Sequence, residues 1–100
     1  MAEHIKLTLQ DIPGIPPRFR LQWEPAQNAH VLLYPEGMVK LSDSAAEVLK
    51  RVDGAASVSA IIRDLERTFP GADLSSDVLE FLDIARERGW IEIAASPHAY

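Results

Sequence analysis

The stretch from Arg18 to Leu41 constrains this chain more than any other, because it holds three strand signals and only short links between them. In Arg18-Phe19-Arg20-Leu21-Gln22-Trp23-Glu24 polar and apolar residues alternate strictly, which puts Phe19, Leu21 and Trp23 on one face. Pro25 to Ala29 is a polar connection, and His30-Val31-Leu32-Leu33-Tyr34 reads as a second strand. Tyr34-Pro35-Glu36-Gly37 has proline at the second turn position and glycine at the fourth, which suits a type I turn. Met38-Val39-Lys40-Leu41 follows as a short third strand. A parallel crossover needs about a dozen residues or more, so strands linked this tightly form an antiparallel meander.

Helical signals take over after Leu41. Ser42 is an N-cap with Asp43 in the first turn, and Ala45, Val48, Leu49 and Val52 share a face until Asp53-Gly54 stops the helix. Ser57 caps a second helix with the stripe Val58, Ile61, Ile62, Leu65 and Phe69, halted by Pro70-Gly71. Ser75 or Ser76 opens a third helix carrying Val78, Phe81, Leu82 and Ala85, ended by Gly89, and Trp90-Ile91-Glu92-Ile93 is a short extended piece. One face of the sheet is buried only if helices cover it. The expectation is a small α+β domain, a three-stranded antiparallel sheet followed by a three-helix bundle. Because a short turn joins the second and third helices, as in a helix-turn-helix, the architecture is winged-helix-like.

The size agrees: 100 residues, 47% apolar and 25% charged, make one soluble globular domain. Residues 1–17 read as an N-terminal arm, 18–93 as the domain and 94–100 as a C-terminal tail. In the arm, Pro13, Gly14, Pro16 and Pro17 are expected to break regular pairing. Its apolar residues Leu7, Leu9, Ile12 and Ile15 must pack, either on their own domain or on a second copy, which leaves an arm-exchanged homo-oligomer open. No run of residues has the length and apolarity of a membrane span, and Met1 to Lys6 lacks the apolar core of a secretory signal. Cytoplasm is the expected location.

Little catalytic chemistry is on offer. Without cysteine there are no disulfides, thiolate metal sites or cysteine nucleophiles. His4, His30 and His98 are scattered through arm, strand and tail, without the convergent spacing of metal ligands. The serines sit where helices need caps, with no histidine near them in sequence, and the glycines stand singly at turns rather than in a phosphate loop. The expectation is no enzyme, no cofactor and no metal.

Charge bears on the helix-turn-helix outline, which invites a small winged-helix DNA-binding regulator as the alternative. The net charge is -5, and all of it falls after Leu41, where six bases face eleven acids. On the third helix a rotation of about 100° per residue gathers Glu80, Asp83 and Glu87 opposite the apolar stripe, where carboxylates would repel phosphates. Neither nucleic acid nor an anionic membrane is an expected partner.

The sheet edge remains. The third strand is short, opens with Gly37 and carries only Lys40 as an edge-protecting charge. It is either an ordinary blunted edge or a site where a peptide adds as a further strand.

One further pattern is specific. The run His30-Val31-Leu32-Leu33-Tyr34-Pro35-Glu36-Gly37-Met38-Val39-Lys40-Leu41 is followed by Ser44-Ala45-Ala46-Glu47-Val48-Leu49 and Val52-Asp53-Gly54, and preceded by Pro17-Arg18-Phe19-Arg20-Leu21-Gln22-Trp23-Glu24. From about Pro17 to about Ile93 the chain resembles the pyrroloquinoline quinone (PQQ) biosynthesis protein D (PqqD) family, most specifically in Leu-Leu-Tyr-Pro-Glu-Gly. The resemblance implies a peptide chaperone that binds the leader of the precursor peptide PqqA and presents it to the radical S-adenosylmethionine (SAM) enzyme PqqE. It also implies where: the leader joins the sheet beside the third strand, with Gly37, Met38, Val39, Lys40 and Leu41 supplying backbone pairing, and packs on the third helix. There, Leu79, Leu82, Asp83 and Arg86 form one candidate flank, and Asp77, Phe81, Ile84 and Arg88 the rival. The acidic helical surface is the expected docking face for the enzyme.

Overall fold

The structure is a computed structural model and describes residues 6–93. Eight elements run in the order β1 (Pro13–Gly14), β2 (Arg20–Glu24), β3 (Ala29–Tyr34), β4 (Gly37–Lys40), α1 (Asp43–Leu49), α2 (Val58–Thr68), α3 (Ser75–Glu87) and β5 (Glu92–Ile93). Strands β2, β3 and β4 form an antiparallel sheet in that order, with Leu21 opposite Leu32 and Leu32 opposite Val39. This is the expected meander with three helices behind it. In the β3–β4 hairpin Tyr34 faces Gly37, and Glu36 is not among the residues with positive φ, which excludes the type II and mirror-image turns at Pro35-Glu36.

Cross-strand pairing sorts the side chains. Phe19, Leu21 and Trp23 share a face with Tyr34, Leu32 and His30, and the ring pairs Phe19–Tyr34 and Trp23–His30 sit 5.7 Å and 5.2 Å apart. Leu32 anchors this face in a core completed by Leu49, Val58, Ile61 and Leu82, each almost fully buried. Trp23, however, is 49% exposed: its strand position is as read, but its ring packs on His30 at the surface and not in the core.

Ser42 and Ser57 cap α1 and α2 as expected, accepting from the N–H groups of Ala45 and Ala60. At α3 the expected serine cap is corrected. Leu74 occupies the cap position and Ser75 is already helical; Asp73 accepts from the Ser75 N–H, and Glu66 of α2 reaches across to the Leu74 N–H at 2.9 Å. The free donors at this helix start are thus served by carboxylates from outside the helix.

The arm also departs from expectation. Pro13 and Gly14 pair with Ile93 and Glu92, so the proline-rich segment does join a ladder. Proline is compatible with so short an edge pairing because its carbonyl, and with it the place of the missing N–H, faces Gly54 rather than β5. Beyond the ladder the backbone carbonyls of Leu9, Asp11 and Pro13 accept from Ser59, Val58 and Gly54, and Leu7 is buried. The arm is therefore seated on its own domain along the approach to α2. Residues 94–100, read as a tail, and His4 and His98 lie outside the described residues.

Arg51 ties α1 to α2. Its Nε donates to Asp64 at 2.6 Å, and its Nη1 donates to the Glu47 carboxylate at 2.9 Å and the Glu47 carbonyl at 2.8 Å. The Arg51 side chain is only 18% exposed, so truncation loses packing and takes a donor from both Asp64 and Glu47, of which Glu47 keeps Lys50. Arg51→Ala is expected to cost about 1–2 kcal/mol, read as a lower denaturant midpoint with unchanged slope. Hydrogen bonds from Lys50 and Arg51 hold the Glu47 carboxyl below its ordinary value of 4.5, and the N–H groups of Ala56 and Ala55 do the same for Asp53. Carboxyls lowered on folding stabilise the fold above their unfolded values, and that contribution disappears as pH falls through the folded values. The melting temperature is accordingly expected to be level near neutrality and to fall below about pH 4, with a smaller acid decline in Arg51→Ala.

Candidate functional site

In an antiparallel ladder, opposed residues alternate between pairs that exchange hydrogen bonds and pairs that do not. The Leu41 N–H donates to the His30 carbonyl at 3.0 Å, which fixes the phase. By alternation Val39 and Gly37 also point their backbone groups at β3, opposite Leu32 and Tyr34. The N–H and C=O groups of Met38 and Lys40 therefore point the other way, and among the described residues no strand pairs with them. The arm and the terminal stub, either of which was able to cover this edge, pair with each other instead.

Side chains divide by the same alternation. Val39 is partly buried against the core and Leu41 is buried, whereas Met38 is 45% exposed and Lys40 is exposed. A Cβ at Gly37 would stand 3.4 Å from the Tyr34 hydroxyl oxygen, so the small residue leaves the ring room at the hairpin.

One cleft borders β4 and a second lies at the start of α1, just after it in the chain. The first, of about 410 Å³, lies at the hairpin end, between Tyr34, Glu36 and Val39 and the C-terminal end of α3 at Arg88 and Trp90. The other, of about 670 Å³, lies past Leu41, between the start of α1 at Asp43, the end of α2 at Phe69, and Asp77 and Phe81 of α3. Helix α3 borders the larger cleft with its first half and the smaller cleft at its C-terminal end, while β4 gives Val39 to the smaller cleft and ends at Lys40, three residues before Asp43 of the larger one.

This geometry separates the two flanks of α3. Asp77, Phe81 and Arg88 line the clefts, and Ile84 between them is 43% exposed. Leu79, Asp83 and Arg86, from the other flank, are part-buried and line neither cleft. Leu82 has no exposed surface at all and belongs to the core, which corrects the expectation that it borders a groove. It sits in the middle of the Val78–Leu82–Ala85 stripe, all three of which are buried, so helical periodicity places it under the helix rather than beside it. Asp83 too is only half-exposed, short of the outward face on which Glu80 and Glu87 stand.

Several cleft residues were not singled out from the sequence. Phe69 reads as the last member of the α2 stripe, yet it occupies the C-cap with φ -123° and is 45% exposed, so it swings out of register into the larger cleft. Arg18 and Arg88 lie over Phe19 and Trp90, with guanidinium carbons 5.0 Å and 5.5 Å from the ring centres. The available signal was the adjacency of arginine and aromatic in Arg18-Phe19 and Arg88-Gly89-Trp90. Only the fold shows that both pairs meet at one cleft.

The geometry can be set beside known proteins. The family model described as "Coenzyme PQQ synthesis protein D (PqqD)" matches residues 29–91. The chain belongs to the PqqD family. That match runs from the first residue of β3 to just before β5, and so contains the β4 edge and all three helices. A protein of Azotobacter vinelandii named PqqA binding protein is 62% identical over 87 residues, covering 86% of this chain and 95% of that one. A PqqA binding protein of Stutzerimonas stutzeri is 52% identical, covering 88% and 97%. Among solved structures, the PqqD truncation of Methylobacterium extorquens PqqCD superposes with a TM-score of 0.73 at 34% identity, covering 86% of this chain and 94% of that one. That protein is described as a functional, stand-alone recognition element for ribosomally synthesized and post-translationally modified peptides. The PqqD fold is thus the α+β, winged-helix-like arrangement expected from the sequence.

Proposed function

We propose that this PqqD-family chain binds the leader of the precursor peptide PqqA as an added strand on the outer edge of β4, against the Asp77–Phe81–Ile84–Arg88 flank of α3, and presents it to the radical SAM enzyme PqqE. The observation that carries the reading is the outward-facing backbone of Met38 and Lys40, which meets no strand among the described residues. The names of the relatives, PqqA binding protein, supply the ligand. No described helix is long and apolar enough to cross a membrane. The acidic helical portion is the surface this reading gives to the enzyme.

Magnitudes say which contacts matter. Two outward residues offer about four backbone hydrogen bonds at a net ~1 kcal/mol each, while ordering the peptide costs about 1–2 kcal/mol per residue. Pairing alone breaks even at best. Micromolar affinity requires about -8 kcal/mol, so apolar side chains must be buried on Val39, Phe81 and Ile84. Titration of the isotope-labelled chain with PqqA tests this: amide shifts are expected to concentrate at Met38–Leu41 and along Phe81–Arg88. Shifts confined to the Leu79–Arg86 flank, or no binding, would refute it.

A further inference from the structure

The two clefts that an added strand beside β4 would extend between carry opposite charge. At the hairpin end, Arg18 and Arg88 stand on aromatic rings beside the smaller cleft, and among the described residues neither forms an ion pair. Glu36 lines the same cleft without reaching either guanidinium. At the far end, Asp43, Asp77 and Glu80 rim the larger cleft, whose floor is Val48, Leu65 and Phe81. None of those three carboxylates is paired among the described residues, and no Lys or Arg lines that cleft. Glu47, the fourth carboxylate there, is already held by Lys50 and Arg51.

Desolvating one sign of charge at each end of a groove is unfavourable unless the occupant brings the opposite sign. We propose that the groove reads the charge order of the bound strand: its ligand is an extended peptide segment with a carboxylate at the Gly37 end of β4 and a lysine or arginine at the Leu41 end. The proposal rests on the strand-addition reading above and deepens it. Contact with the Phe19 and Trp90 rings gives the Arg18 and Arg88 guanidinium groups a favoured position beside the cleft, where a carboxylate meets their donors.

The spacing follows from helix and strand geometry. Asp77 and Arg88 lie at opposite ends of α3. At about 1.5 Å rise per residue their separation is about 16 Å, and a strand covers that length in about five residues at ~3.3 Å each. The two charges of the ligand are therefore about five residues apart. Their order also reveals direction, because β4 runs from the basic cleft toward the acidic one. A leader with its cation first lies antiparallel to β4, and one with its carboxylate first lies parallel.

The test is calorimetric titration of the full chain with PqqA. The double variants R18E/R88E and D77K/E80K change exposed side chains, and circular dichroism verifies that they stay folded. Each is expected to weaken PqqA binding about five- to tenfold, with the difference shrinking in high salt. A PqqA peptide with its acidic residue reversed is expected to recover affinity on R18E/R88E only, and one with its basic residue reversed on D77K/E80K only. Changes within twofold in both variants, or rescue at the wrong end, would overturn the charge-order proposal while PqqA still binds the unaltered chain. Failure of PqqA to bind the unaltered chain would overturn strand addition, and this proposal with it.

Discussion

Met38→Pro is expected to weaken PqqA binding by about thirty- to a hundredfold while the domain stays folded. The Met38 N–H points away from β3, so proline removes no ladder bond within the sheet. Edge strands tolerate proline where the missing N–H faces outward. The preceding residue, Gly37, is already extended, as a residue before proline must be. An incoming strand meets a different situation: it loses a donor and encounters ring carbons where a backbone carbonyl should approach. A lost hydrogen bond and the displaced neighbouring bond together amount to about 2–3 kcal/mol, which converts to the stated loss. Val39→Pro is the internal control. Its N–H faces Leu32, so the substitution breaks the sheet itself and is expected to cost about 3 kcal/mol of stability. Comparing the melting temperature and PqqA affinity of the two variants separates edge from ladder. Equal affinity of Met38→Pro and the unaltered chain would show that the peptide does not pair with this strand.

The elements most legible in the sequence were those whose signals are local. Alternation at Phe19, Leu21 and Trp23, the proline and glycine of the hairpin, and the serine caps at Ser42 and Ser57 each depend on neighbours within a few residues. Those readings agree with the strands and helices observed. The start of α3 was less legible because its partner is remote: Glu66 reaches the Leu74 N–H from the preceding helix, a contact eight residues away. Pairing of Pro13-Gly14 with Glu92-Ile93 joins opposite ends of the described chain, and no local pattern encodes it. The candidate site falls between these cases. The strand signal located β4 and the resemblance to PqqD marked its edge. Only the Leu41–His30 bond, however, shows that Met38 and Lys40 face outward while Gly37, Val39 and Leu41 face β3, and choosing a flank of α3 required knowing where the helix lies against the sheet. A helical wheel places Leu79 and Phe81 almost symmetrically about the buried stripe, and packing decides between them.

That distinction makes substitutions on α3 diverge sharply. Leu82→Asp is expected to unfold the domain, because Leu82 has no exposed surface and touches the centre of the core. A carboxylate there is left without a partner in apolar surroundings, at a cost of several kcal/mol, against a total stability of about 5–15 kcal/mol for a domain of this kind. Loss of peptide binding in that variant would report on folding and not on the groove. Ile84→Asp lies two residues further along and is 43% exposed, so the carboxylate remains in water and the fold is expected to lose well under 1 kcal/mol. Its effect on the complex is the larger one. It removes apolar surface worth about 1–2 kcal/mol on burial and adds a charge beneath the incoming strand, so PqqA affinity is expected to fall at least tenfold. Leu79, on the flank that lines neither cleft, is partly buried against the core, so Leu79→Asp is expected to lower stability yet leave the affinity of the folded fraction within about twofold, since changes away from a contact alter it little. If instead Leu79→Asp abolished binding and Ile84→Asp did not, the peptide would lie on the opposite side of α3. Strand addition at β4 would then lack the helix surface that supplies its apolar contacts.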